Sequence, residues 1–332
     1  RNKHLIEATA AAASAAATDR VVLVQLHPTD FFCDLTTNAG VLISPFAPNT
    51  AKVIHMMRDP LDMAISNYLY HSQDPTPERW ILREDIDPCK FNVDLIKFAV
   101  MGGEGSAAAS AAPLKDIMTE KDTENLHFLC MQLMNHQRGD DDAHTTFYDA
   151  LRGLEPYDGL RLATIQLLLA DNVESGGDLL RMANNAVRLS EWQRQQQTER
   201  QKDEWPGSDS SSSHKKLLLT FHMSDWLQNY TESAVRASEF LIEDLFVPVG
   251  KSGGGMDTIV DASEKHSFSQ GVASLMVGWL EERKAKATKY ITQHITQNVW
   301  DHDVREKMMV KLANDDLLGP ILQKIRIIVN EK

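Results

Sequence analysis

The chain has 332 residues, 42% of them hydrophobic, enough to bury one large core or two modest ones. Its 34 basic and 47 acidic residues leave a net charge of −13, which argues against a nucleic-acid binder, whose footprint is a basic patch or stripe. Three scattered cysteines, Cys33, Cys89 and Cys130, form no CxxC pair and no zinc-spaced cluster, and no apolar run reaches the length of a membrane span.

Residues 8–18 are Ala-rich and interrupted by no Leu-rich centre, so a linker or exposed helix is expected there rather than a signal sequence. Val21 to Gln25 is an apolar, β-branched run that predicts a buried strand ending in Leu26, His27 and Pro28. A histidine at a strand's carboxyl end can accept a hydroxyl proton near neutral pH; it can equally be a hydrogen-bonded turn residue. Residues 31–50 form a connection holding Gly40, Pro45 and Pro48.

Val53 to Met57 predicts a second buried strand, and Arg58 stands at its carboxyl end. Asp59 has the position of an N-cap, Pro60 that of a first helical residue, and Asp62 that of the third residue of a capping box. Leu61, Ile65, Tyr68 and Leu69 then line one apolar face, as a helix packed on a sheet requires. A helix N-terminus at a strand's carboxyl end gathers unsatisfied N–H groups and the positive end of a dipole. Arg58 adds a planar fork for phosphate oxygens, and Ser66, eight residues on, a hydroxyl. The competing use of Arg58 is an ion pair with Asp59 or Asp62.

Further along, residues 72–80 are turn-rich and Phe91 to Val100 predicts a short amphipathic helix. Low complexity and polarity predict disordered inserts over 102–125 and 195–214. Asp140–Asp142 with His144 reads as a solvated loop, since three consecutive carboxylates cannot all face one ion; no metal site is expected. Phe147 to Gln197 has helical periodicity. Leu160, Thr164, Leu167 and Leu168 form one face, and Leu179, Met182, Ala183, Ala186 and Leu189 another, with a break at Gly176–Gly177. Lys216 to Phe221 is a third strand candidate, followed by a helix from about Leu227 to Phe246 with Ala234, Ala237, Leu241 and Leu245 on one side. Gly250-Lys251-Ser252 fails as a phosphate loop because Leu245 stands where its first glycine belongs. Two helices, Val272 to Thr288 and Val304 to Val329, complete the chain, with a basic patch at Lys284, Lys286 and Lys289.

Hydrophobic strand, Arg58, Asp59, Pro60, Asp62, Ser66 and Tyr68 together resemble the sulfotransferase family's segment for the 3′-phosphate of 3′-phosphoadenosine-5′-phosphosulfate (PAPS). That resemblance, closest in character to algal and marine-type members, implies an α/β fold: a P-loop-like parallel sheet flanked by helices, with helical insertions, as one domain over 1–332. It implies that Arg58 and Ser66 bind the cofactor's 3′-phosphate. His27, in Val-Gln-Leu-His-Pro, is similar to the family's general base, although Gln25 stands where cytosolic members have Lys. The implied function is PAPS-dependent sulfuryl transfer to a hydroxyl acceptor, a carbohydrate among the candidates, without a metal. A non-catalytic nucleotide- or partner-binding relative is the alternative. The family's 5′-phosphosulfate loop precedes the His-bearing strand, and the 26 residues before His27 contain no glycine, so the first strand and that loop are expected upstream of Arg1. The helical insertion leans toward a Golgi-type lumenal enzyme anchored outside this chain, with the cytoplasm also open.

Overall fold

The computed structural model describes residues 53–73, 78–101, 117–136, 146–171, 176–203, 218–242 and 302–331. In chain order these form β1 (Val53–Met57), α1 (Pro60–His71), a 3₁₀ turn (Trp80–Leu82), α2 (Val93–Met101), α3 (Glu120–His136), α4 (Phe147–Gly153) and α5 (Pro156–Leu169). Then follow α6 (Asp178–Asp203), β2 (Leu218–His222), α7 (Met223–Gln228), α8 (Tyr230–Ile242), α9 (His302–Ala313) and α10 (Leu318–Glu331). The described chain is thus mostly helical with a small two-stranded parallel sheet, and it divides into two compact units.

The first unit holds both strands. β1 pairs with β2 in parallel, Val53 opposite Leu218 and Met57 opposite His222. Leu219, Phe221, Ala237 and Phe240 bury a small core between β2 and α8, against which Ile54 packs, and the Arg236 guanidinium lies 5.2 Å from the centre of the Phe221 ring. His55, in the middle of β1, is held neutral down to about pH 4 because burial penalises its charged form. The single helix expected over Leu227–Phe246 is instead two: the backbone breaks at Asn229, whose φ of −123° and ψ of 51° leave the helical region.

The second unit is organised around α5, whose residues 162–169 are all buried. α1 lies along it. Leu61, Ile65, Tyr68 and Leu69 are each at most 6% exposed, a face whose burial contributes roughly 6–12 kcal/mol before entropy. The partner of that face is corrected by the structure: within this unit it meets helices, α5 above all, rather than a sheet. Gly159 makes the approach close, since a Cβ there would sit 2.8 Å from Cε2 of Tyr68 and 3.1 Å from the Leu151 carbonyl oxygen.

Three other expectations change. The insert placed at 102–125 ends earlier, because Thr119 and Asp122 cap each other reciprocally and start α3 at Glu120. The insert placed at 195–214 likewise loses its first part, since α6 runs to Asp203. Its Gln-, Arg- and Glu-rich end is made of good helix formers that extend a helix already nucleated by buried Leu179, Leu180 and Ala183. The continuous helix expected over Val304–Val329 is split at Asp315, whose carboxylate accepts from the N–H groups of Leu317 and Leu318 and begins α10. Asp315 also takes the Tyr157 hydroxyl at 2.8 Å and Arg161 Nε at 3.0 Å, tying this corner to α5. Burial pushes its carboxyl up, but the Leu318 N–H, Tyr157, the Leu317 N–H and Arg161 outweigh that and hold it below the ordinary value. On the other side of the unit Cys89 and Cys130 form a disulfide, Cα to Cα 5.7 Å, between the turn before α2 and the middle of α3. Among the described residues no helix is long and apolar enough to cross a membrane.

Candidate functional site

The turn between β1 and α1 forms as its residues dictate. Asp59 leaves helical geometry at φ −58° and ψ 127°, and its Oδ1 accepts from the N–H groups of Leu61 (2.9 Å) and Asp62 (3.1 Å). Pro60 has no N–H to satisfy, and Met63 N–H already donates to the Asp59 carbonyl at 2.9 Å. The helix start therefore keeps its dipole, but its first N–H groups are taken by the protein's own carboxylate. An external anion here has to be held mainly by side chains, which corrects the expectation of open backbone donors.

Those side chains are arginines. Arg58 directs both Nε and Nη2 at Asp62 Oδ2, each at 2.7 Å. Arg305, from α9, donates Nη2 to Asp62 Oδ1 at 2.5 Å. Arg326, from α10, places Nε 2.8 Å from Asp59 Oδ2. Asp62 thus does not close a capping box, because both its oxygens are turned to guanidiniums. The ion pair that competes for Arg58 is present, yet three guanidiniums face two carboxylates and one positive charge is left over in a chain of net −13. The Arg58 and Asp62 side chains are 36% and 33% exposed, so their attraction is worth less than about 1 kcal/mol and yields readily to a stronger anion. The Arg305 side chain is only 18% exposed, and its Nη1 is shielded from solvent without a hydrogen-bond partner. Ser66 is half-buried one helical turn beyond Asp62, on the same side of α1.

Sequence reasoning missed Arg305 and Arg326. Arg305 is 243 residues from Asp62, and nothing in its local pattern marks it apart from any other helix-surface arginine. It also missed a second polar cluster at the far end of α1. There Glu78 accepts from Trp80 Nε1, lies 3.0 Å from His71 Nε2 and takes the Tyr70 hydroxyl, so that burial and then the Glu78 charge raise the Tyr70 phenol well above its ordinary range. The Trp80 ring stacks on Phe147, with centroids 6.0 Å apart. This cluster locks the segment after α1 onto α4. His302, Asp303 and Glu306 bring ligand-type atoms within 4.8 Å of one another at the exposed start of α9, an arrangement that the dipole there already accounts for.

His27, the Val21–Gln25 strand, Cys33, Asp140–Asp142 with His144, Gly250–Ser252 and the lysine patch at 284–289 lie outside the described residues. The chain matches no protein-family model, no curated protein and no solved structure.

Proposed function

We propose that this chain is a PAPS-dependent sulfotransferase built on a P-loop-like α/β scaffold, transferring a sulfuryl group to a hydroxyl acceptor. The observation that carries it is the junction of β1 and α1. A strand in parallel pairing delivers Arg58 to the start of a helix capped by Asp59, with Ser66 on the flank that Asp62 occupies and surplus guanidinium charge around it. The residue order matches the family's 3′-phosphate segment, and the local charge suits a phosphate monoester.

Arg58 and Ser66 would hold the 3′-phosphate without joining the chemistry. The acceptor hydroxyl would give its proton to His27 as its oxygen attacks sulfur. The bond from sulfur to the 5′-phosphate oxygen then breaks, and adenosine 3′,5′-bisphosphate leaves with that electron pair. Positioning and charge neutralisation supply most of the rate in transfers of this kind. The Cys89–Cys130 bond favours an oxidising compartment, in keeping with a lumenal enzyme.

The test is transfer of labelled sulfate from PAPS to a panel of sugar, phenol, lipid and peptide hydroxyls, paired with calorimetric binding of adenosine 3′,5′-bisphosphate. Arg58→Ala should weaken bisphosphate binding by about 10–100-fold, the cost of a charged hydrogen-bonding pair. His27→Ala should leave binding intact and abolish transfer. Bisphosphate binding without transfer to any acceptor would identify a non-catalytic relative. Activity indifferent to Arg58 would dismiss the donor site.

A further inference from the structure

We infer, resting on the donor site proposed above, that Arg305 is a second guanidinium for the donor's 3′-phosphate and the residue that makes the site select a ribose bisphosphate over a monophosphate. Arg58 and Arg305 take the two oxygens of one carboxylate, Asp62, from opposite sides. Two like charges held against a single counter-charge leave a +1 site already shaped for an oxyanion, and Asp62 keeps both forks in place.

The two arginines are not equivalent in what they have left to give. Arg58 has committed Nε and Nη2 to Asp62 and is the more exposed of the two. Arg305 has committed only Nη2; its Nη1 is out of solvent and makes no hydrogen bond. A buried cationic N–H without an acceptor is a standing cost in the free protein, and it disappears when an anion supplies one. That difference between free and bound states raises affinity for a ligand with an oxyanion at this spot, and it does nothing for a ligand without one. Arg326 contributes less, since its side chain is 44% exposed and directed to Asp59.

The experiment is titration calorimetry of the full chain with adenosine 3′,5′-bisphosphate and, separately, with adenosine 5′-monophosphate. Wild type, Arg58→Ala, Arg305→Gln and Arg305→Lys are compared, each checked for its thermal midpoint. Arg305→Gln should weaken the bisphosphate by about 10–100-fold and leave the monophosphate nearly unchanged, so the preference between the two collapses. Arg305→Lys, which keeps the charge and the Asp62 pair but has no second N–H fork, should recover part of that preference and covers the case in which Gln unfolds the protein. Unchanged preference in either folded variant overturns the role of Arg305. So does equal weakening of both ligands, which a merely structural arginine would produce. If Arg58→Ala loses the bisphosphate while the Arg305 variants do not, the donor site stands and Arg305 falls. If wild type binds no bisphosphate, both fall together.

Discussion

Removing the Cys89–Cys130 bond, by Cys89→Ala with Cys130→Ala, should lower stability by about 4 kcal/mol. The two cysteines are 41 positions apart, and closing a loop of that length removes about 13 cal/mol/K from the unfolded chain, which at 25 °C is about 4 kcal/mol. The native side should change little. The segment carrying Cys89 is held independently: Asp171 N–H donates to the Lys90 carbonyl at 2.7 Å, Asn92 N–H to the Leu169 carbonyl at 2.8 Å, and the Phe91 ring meets His127 edge-on at 5.5 Å. The effect therefore acts through the unfolded ensemble. For a unit of 150–250 residues, about 2–4 °C is lost per kcal/mol, so the thermal midpoint should drop by roughly 8–16 °C. Denaturant titrations of the oxidised protein and the double variant measure the loss, and hydrogen exchange at residues 90–92 checks that the native contacts persist. Matching midpoints would refute the entropic reasoning. Alkylation of Cys89 and Cys130 in the unfolded, unreduced protein would refute the bond itself.

Three further outcomes follow from groups whose environment is on view. His55 is held neutral to about pH 4 while the unfolded residue titrates near 6.5, so its contribution is complete above pH 6.5 and is lost as pH falls toward 4; a His55→Gln variant should show a flatter acid limb than wild type in urea midpoints. Tyr157 is raised to about 12, by burial first and then by its hydrogen bond and charge interaction with Asp315. The stability this adds is full below pH 10 and lost as pH rises through 12, a slope that Tyr157→Phe should remove. Gly159→Ala should gain up to about 1 kcal/mol of helix propensity and lose more than that, roughly 1–3 kcal/mol, to the clash with Tyr68 and the Leu151 carbonyl. Melting curves settle its sign, and Tyr68→Leu beside it should relieve most of the loss.

What could be read from the sequence was what neighbouring residues decide among themselves. The apolar run Val53–Met57 and the Asp59–Pro60 start reproduce the observed bounds of β1 and α1, because a cap and an N1 proline act within a few residues. The apolar face of α1 was legible, yet its partner was not, since Leu61, Ile65 and Leu69 bury equally well against a sheet or a helix. Composition undervalued the end of α6 for a different reason. It weighs each residue for what it can bury, whereas a helix already nucleated by buried leucines extends into polar residues at little cost.

Asp62 shows why the candidate site was half visible. Its position three residues after a cap suits a reciprocal capping box, and in isolation the helix would use it so. But Asp59 Oδ1 alone already serves two N–H groups, which leaves Asp62 free for the stronger donors that Arg58 and Arg305 bring. One of those donors is four residues away and could be anticipated; the other arrives from 243 residues downstream and could not. The same step alters the chemistry of the site. With the backbone donors consumed by Asp59, selectivity for an anion passes from the helix start to the guanidiniums, and so to how many of them the fold gathers around a single carboxylate.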